Sequence, residues 1–499
     1  MEKLKKRLLA MFLLSCIALC GCGYNTQVSS DEAQILLPEP ETGDIIPFYG
    51  ESDSTGAREI TLHYVSEDRY ALTGVTSAIS AGSGYELIGN VLAELISASS
   101  GTLPHAAASG ATLLGYEYSC NTVTVNLSID SLLYQNEIET QLLLSSIANT
   151  LLGLDGVDAV NILVGGQAID LARMPAGVYT QQIENVPAFY AQLESESDRF
   201  FGDSVVSIER SALMYFPSAS GNYLLSEVRS VLFDSTDYVS NLIDALKSGP
   251  LTESAAISAV PANAELFNSV PEVRITGDGR RVIYLDFNSL MLNYLAFAGM
   301  DDWELYGSIV LTLTSFIPEI DAVCIMIDGK NLEGCVFPNK TIEIENGMVR
   351  RSDFSPRIGS AAELYFANES GSLVRKRCAL SQTGAHSPKR LLESLIGMQD
   401  ISPDMESVFP EGVTSVDVLG VKVDERIANV NLSANFYARC QSLDIQQERN
   451  LVYAMINTLA ELENIGAVRF FIEGNAVDTL TDSIYLKTAL LPDHGLVAE

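Results

Sequence analysis

The chain has 499 residues, 47% of them hydrophobic, which is enough for several cores of ordinary domain size. Its 64 acidic residues outweigh 30 basic ones and give a formal net charge of -34. That charge repels nucleic acid and anionic lipid surfaces, so nucleic-acid partners are excluded at the outset. A solvated surface that resists aggregation is the simplest use of the acidity.

The clustered basic charge lies at the start, in Lys3, Lys5, Lys6 and Arg7. An apolar run of 12 residues follows, Leu8 to Leu19. This length fits a signal-peptide core and is short of the ~20 residues a membrane span needs. Next comes Leu19-Cys20-Gly21-Cys22, which looks like a bacterial lipobox. Residues 1–21 then form a lipoprotein signal peptide, and the thiol of Cys22 is the expected acylation site. Leu13-Leu14-Ser15-Cys16 fits the same pattern but leaves an apolar core of only about seven residues. An ordinary secretory signal with incidental cysteines is the alternative. Two acyl chains on one residue suffice for stable anchoring. The expected place is thus the extracytoplasmic face of the cell membrane, with a lipid anchor.

Residues 22–57 read as an acidic flexible tether, with Asp31, Glu32, Glu39, Glu41, Asp44, Glu51 and Asp53 beside Pro38, Pro40 and Pro47. Such a composition cannot bury a core. Beyond Cys22 remain Cys120, Cys324, Cys335, Cys378 and Cys440, with no CxxC or metal-ligand spacing. Small buried apolar residues are their default role, and a Cys324–Cys335 bridge is the one pairing their separation invites.

From residue 58 on, self-similarity organises the chain. Asp158-Ala-Val-Asn-Ile-Leu-Val-Gly-Gly166 returns as Asp321-Ala-Val-Cys-Ile-Met-Ile-Asp-Gly329 and as Gly466-Ala-Val-Arg-Phe-Phe-Ile-Glu-Gly474. Each is a buried strand closed by a tight turn where Gly166, Gly329 and Gly474 supply positive φ. About 40 residues earlier stand Thr124-Val-Asn-Leu-Ser128, Tyr284-Leu-Asp-Phe-Asn288 and Asn429-Val-Asn-Leu-Ser433, each the second strand of a hairpin. Between these strands lies a helix with one apolar stripe. Its residues are Leu143, Leu144, Ile147, Ala148 and Leu151 in the first copy, Leu305, Tyr306, Ile309, Val310 and Leu313 in the second, and Leu451, Val452, Met455, Ile456 and Leu459 in the third. Each copy opens with a strand at Thr61–Val65, Leu213–Phe216 or Glu363–Phe366, followed by a first helix at Tyr85–Ser97, Asp237–Lys247 or Pro388–Met398.

The expected fold is α+β: three tandem β-α-β-β-α-β modules, each with two helices packed on a small sheet. The repeats are placed at 58–182, 205–345 and 358–482, with a C-terminal tail at 483–499. The polar segments 184–203 and 342–359 are connectors.

Reactive constellations are sparse. His63, His105, His386 and His494 show no ligand spacing, so structural or surface roles are expected of each. Gly82-Ser83-Gly84 lacks the lysine of a phosphate cradle and reads as a helix-entry loop. Asp301 and Asp302 start a helix, where negative charge is favourable in any case. Asn126, Asp286 and Asn431 hold one repeat position within apolar strands. They are either a shared ligand-contact point or side chains that bond nearby backbone at the strand's exit. With two amides among three, acid–base chemistry is not expected.

These residues resemble the GerMN domain, a module of sporulation and germination lipoproteins. The resemblance rests on Leu285-Asp286-Phe287, the Asn149-Thr150-Leu151 and Asn457-Thr458-Leu459 triplets, the closing turns, Gly249-Pro250 with Val260-Pro261, and Phe409-Pro410-Glu411-Gly412. The first copy lacks the Gly-Pro pair, and the third has Gly397-Met398-Gln399 in its place. The resemblance implies a membrane-anchored extracytoplasmic protein of sporulation or germination that binds envelope or sporulation proteins or self-associates. It brings no catalytic residue, cofactor or metal. The expected function is therefore a non-catalytic scaffold or adaptor. A solute-binding lipoprotein and a regulator of cell-wall remodelling enzymes are the alternatives.

Overall fold

The computed structural model describes residues 48–498, apart from 54–55, 67–69, 81, 83, 98–110, 132–135, 171–173, 176, 203–205, 252–254, 263, 298, 399–401 and 482. The leader, Cys22 and the first part of the expected tether lie outside the described residues, as does His105. The chain enters through β1 (Gly50–Asp53). The first repeat follows as β2 (Arg58–Val65), β3 (Leu72–Ile79), α1 (Gly84–Ser97), β4 (Leu113–Ser119), β5 (Thr122–Leu127), α2 (Glu137–Leu151), β6 (Ala159–Val164) and β7 (Gln167–Ala168). A linking helix, α3 (Val186–Phe200), leads to the second: β8 (Ile208–Pro217), β9 (Leu224–Phe233), α4 (Tyr238–Lys247), β10 (Glu272–Ile275), β11 (Arg281–Phe287), α5 (Ser289–Phe297), α6 (Asp302–Phe316), β12 (Ile320–Ile327) and β13 (Lys330–Asn331). The connector β14 (Gly334–Phe337), β15 (Lys340–Glu343), β16 (Met348–Val349) and α7 (Arg351–Phe354) comes next. The third repeat is β17 (Gly359–Asn368), β18 (Leu373–Ser381), α8 (Gln382–His386), α9 (Pro388–Gly397), β19 (Met405–Glu406), β20 (Val418–Asp424), β21 (Ile427–Leu432), α10 (Ala434–Cys440), α11 (Ile445–Ala460), β22 (Ala467–Ile472) and β23 (Asn475–Ala476).

The architecture is α+β and threefold. Each repeat has one main sheet, ordered β4-β5-β6-β7, β10-β11-β12-β13 and β20-β21-β22-β23. The central strands run parallel in all three, Asn126 opposite Leu163, Asp286 opposite Met326 and Asn431 opposite Phe471. Parallel neighbours cannot be joined by a tight turn. The crossover runs through the long last helix of each repeat: α2, α6 and α11. A capping box opens α2, where Glu139 N–H donates to Asn136 Oδ1 at 2.9 Å, and another opens α11 from Asp444.

These crossover helices are buried nearly all round; α6 is buried from Trp303 to Phe316. One side meets the sheet, and the other meets an opening hairpin, β2–β3, β8–β9 or β17–β18. Each module is thus sheet, helix and hairpin in layers. Three separate cores result, around Val123 and Ile147, around Leu285 and Ile309, and around Val430 and Met455.

A strand laid on a helix has no ladder partner on that side, and buried backbone groups need one. Repeated hydroxyls supply it. The N–H groups of His63, Tyr215 and Tyr365 donate to Thr150, Thr312 and Thr458 Oγ1 at 2.9, 3.0 and 3.3 Å. Ser146 and Ser308 return a bond to the His63 and Tyr215 carbonyls.

Three expectations need correction. Each repeat opens on a hairpin, not one strand: β3, β9 and β18 complete it. The connector 184–203 is largely helix α3, capped by Asn185, with Val186, Tyr190 and Phe200 buried. The tether does not run to 57: Gly50–Asp53 pair in parallel with Gly420–Val423. Gly420 permits this, since a Cβ there would stand 2.8 Å from the Gly50 carbonyl oxygen. The described part of the C-terminal tail, 483–498, packs on the third repeat: Leu486 is fully buried, and Leu490 N–H donates to the Val468 carbonyl at 2.8 Å.

Candidate interaction surfaces

The repeated polar position sits where the second hairpin strand leaves the sheet. Asn126, Asp286 and Asn431 each aim a side-chain oxygen at the neighbouring turn. The N–H groups of Gly166, Gly329 and Gly474 donate to them at 2.8, 2.8 and 2.7 Å. In all three turns both central residues have positive φ: Gly165 and Gly166, Asp328 and Gly329, Glu473 and Gly474. That is the type I′ turn whose twist suits a hairpin, and its second N–H points out of the ladder toward these acceptors. Asn431 is wholly buried and also donates to the Phe48 carbonyl at 2.8 Å. An acceptor already filled by backbone in all three copies holds a turn; it does not offer a common contact to a ligand.

The remaining reactive types are dispersed. His63 lies on β2, its imidazole held by burial below the usual range. His386 stacks on Tyr118 at 4.2 Å, and burial pushes it down to about 4. His494 lies in the packed C-terminal segment. Cys120, Cys324, Cys335, Cys378 and Cys440 are all free, so the Cys324–Cys335 bridge is absent. Burial pushes the Cys335 and Cys440 thiols up to about 12, far from thiolate reactivity. Asp301 caps α6, its N–H donating to Glu304 Oε2 at 2.9 Å. Among the described residues no group of three or more His, Cys, Asp or Glu could hold a metal ion.

Contacts between repeats use residues that the copies do not share. The hairpin turn after β4 is wedged between the other two repeats. Ser226 Oγ donates to the Ser119 carbonyl at 2.9 Å, and Cys120 N–H donates to Ser360 Oγ at 3.1 Å. Arg351, buried on α7, pairs with Glu117 of the first repeat and donates to Tyr215 Oη and Ser315 Oγ of the second at 2.9 and 2.6 Å. Burial alone would lower the Arg351 pKa; Glu117 and Tyr215 outweigh it and hold the guanidinium charged. A cavity of about 330 Å³ remains between the first and third repeats, with Arg58, Tyr118, Glu363, Arg377, His386 and Glu463 on its wall. Sequence reasoning missed all of these, because repeat alignment draws attention to what the copies have in common.

The three equivalent sheet edges differ most. On β4, Tyr118 N–H donates to Gln382 Oε1 at 2.6 Å, so the third repeat covers it. On β20, strand β1 covers it. On β10, all four residues are exposed, and among the described residues no strand pairs with the outer side.

The family model described as Germane, sporulation and spore germination, matches residues 53–170, 213–333 and 363–478. Among solved structures, the tandem GerMN domains of the sporulation protein GerM from Bacillus subtilis are 16% identical, with a TM-score of 0.24, over 59% of this chain and 99% of that one. The first GerMN domain of the same protein is 21% identical, with a TM-score of 0.22, over 26% of this chain and 96% of that one. A protein described as a lipoprotein from Clostridium perfringens is 19% identical, with a TM-score of 0.19, over 27% of this chain and 98% of that one. No curated protein matches. The family's three matched stretches together span well over half of the sequence, and the chain belongs to the Germane family of sporulation and spore germination, as three GerMN-like repeats in tandem.

Proposed function

We propose that the chain is a lipid-anchored, non-catalytic scaffold on the outer face of the cell membrane, serving an envelope assembly of sporulation or germination. The observation that carries this reading is the fate of the repeated polar residues. Asn126, Asp286 and Asn431 are used up in holding turns, and Thr150, Thr312 and Thr458 in holding strands. What a copy repeats is fold; what differs between copies is surface. Triplication of a module without a shared reactive set suits the display of several faces to protein partners. The lipobox-like Leu19-Cys20-Gly21-Cys22 supports the anchor, and no helix among the described residues is long and apolar enough to cross a membrane. The test is affinity capture of the tagged full chain from sporulating cells. Envelope proteins should be recovered with it, and Cys22→Ala should leave the membrane fraction. Recovery of none sinks the scaffold; an undiminished membrane fraction for Cys22→Ala sinks the anchor.

The cavity between the first and third repeats favours a second reading, a solute-binding lipoprotein. Its volume is at the low end for small-molecule sites. Thermal-shift screening against metabolites separates the two, since a scaffold shows no specific stabilisation.

A further inference from the structure

We infer that the open edge of β10 is a self-complementary docking edge, and that its occupant is β10 of a second copy of this chain, in antiparallel pairing centred on Val273. The inference rests on the scaffold reading only in taking this surface to serve protein association. Its first support is internal. Three equivalent edges exist, two are covered by this chain's own groups, and one is bare. Val270, Val273 and Ile275 are 74%, 39% and 73% exposed there.

The second support is which backbone groups face outward. Thr276 N–H donates to the Arg280 carbonyl at 2.9 Å, which makes that pair hydrogen-bonded. With the register Arg274 to Val282 and Glu272 to Tyr284, alternation of an antiparallel ladder turns Glu272 and Arg274 toward β11. Pro271, Val273 and Ile275 therefore present their backbone to solvent, and Val273 and Ile275 carry free donors.

The third support is charge. Glu272 and Arg274 lie on one face of β10, paired with each other and half exposed, with the Arg274 guanidinium 4.4 Å from the Tyr284 ring centre. A two-fold axis at Val273 sets each Glu272 against Arg274 of the second copy, closing a ring of four alternating charges. It also sets each Pro271 against Ile275 of the second copy on the other face. The two Val273 residues exchange two hydrogen bonds, and each Ile275 N–H reaches a Pro271 carbonyl. Neighbouring registers fail. An axis at Glu272 or Arg274 opposes like charges directly, which destabilises a pair. An axis at Pro271 lacks the central donors. An axis at Ile275 sets Glu272 against Asp278. Charges and proline on an edge exclude foreign strands, and here the pattern of signs admits one register of itself.

The test uses the full chain in detergent micelles, with protein mass read by sedimentation equilibrium. Wild type is expected at twice the chain mass, and Arg274→Glu and Glu272→Arg each at the chain mass. The double variant, which swaps the two charges and restores complementarity, is expected back at twice the mass. These side chains are exposed, and unchanged thermal unfolding confirms folded variants. A short cysteine cross-linker should join two chains carrying Val273→Cys in membranes. A monomeric wild type, a dimer indifferent to the single swaps, or a double variant that stays monomeric overturns the inference. None of these outcomes touches the scaffold reading, which fails only if capture recovers no envelope partner.

Discussion

Asn126, Asp286 and Asn431 make the same bond in unlike surroundings, so the cost of losing it should differ. Asn126 and Asp286 are half-buried, and water can reach the turn N–H once the acceptor is gone. Asn431 is wholly buried and serves two backbone groups, Gly474 N–H and the Phe48 carbonyl. Leaving a buried group unpaired costs about 1–3 kcal/mol. Asn431→Ala should therefore fall at the upper end, near 3 kcal/mol by urea unfolding, and Asn126→Ala near 1. Asn126→Asp should be close to neutral, because Asp286 does the same work with a carboxylate. Equal losses at the two alanine variants would refute this ranking. His386 supplies a pH dependence. The carboxylates Asp155, Glu363, Glu461 and Glu463 and the cations Arg58 and Arg377 share its cavity, yet burial dominates and depresses its pKa from 6.5 to about 4. A depressed imidazole is neutral in the folded chain and protonated in the unfolded one below pH 6.5. Its contribution is thus fully present above that pH, is lost as pH falls toward 4, and is constant below. The stability difference between wild type and His386→Gln should shrink across that window by at most about 3 kcal/mol.

The helix-to-hairpin hydroxyls show how an element is held where no ladder exists. Thr312→Val keeps shape and removes the acceptor of the buried Tyr215 N–H. The expected loss is about 1–3 kcal/mol, with exchange of the Tyr215 amide accelerated at least tenfold relative to the rest of β8. Unchanged exchange there would dismiss the clip. Strand β1 depends instead on what is missing from Gly420. Gly420→Val puts carbon into the Phe48 and Gly50 carbonyls, and should strip exchange protection from Gly50–Asp53 while the third core keeps its own. What the sequence made legible follows from the same physics. Val160, Val323 and Val468 lie on strands β6, β12 and β22 with near-continuous apolar runs, and the crossover helices before them carry unbroken stripes; both signals come from burial. The hairpin partners β3 and β18 are half exposed, with Thr73, Thr76, Arg375 and Lys376 interrupting any pattern. Helix α3 hides a stripe of Val186, Phe189, Tyr190 and Leu193 under Glu194, Glu196 and Asp198. β1 is four residues of an acidic segment whose only strand signal is an edge 370 residues away in the sequence.

At the scale of the molecule the question is why three cores behave as one compact unit. The interfaces are stitched by polar groups unique to one copy: Glu117, Ser119, Gln382 and Arg351. A repeat-by-repeat reading averages such residues away, so the interfaces stayed invisible although the modules did not. Arg351 is the most telling. It lies in the connector after the second repeat, yet its nearest charge, Glu117, belongs to the first, and both side chains are largely buried, 8% and 19% exposed. Removing one member of a buried pair strands the other without water or counter-charge, at a cost of about 3–5 kcal/mol. Replacing both with apolar groups of similar volume removes two desolvation penalties along with one attraction and is often neutral. Glu117→Leu alone should therefore destabilise the contact between the first two repeats and split a single unfolding transition into two. Arg351→Met alone should cost less, since Glu117 is closer to solvent. The double variant should recover most of the loss and restore one transition, a coupling of several kcal/mol in a double-mutant cycle. Calorimetry on the four chains decides it. Additive losses would mean that Arg351 merely fills space, and that the union of the first two repeats does not rest on this pair.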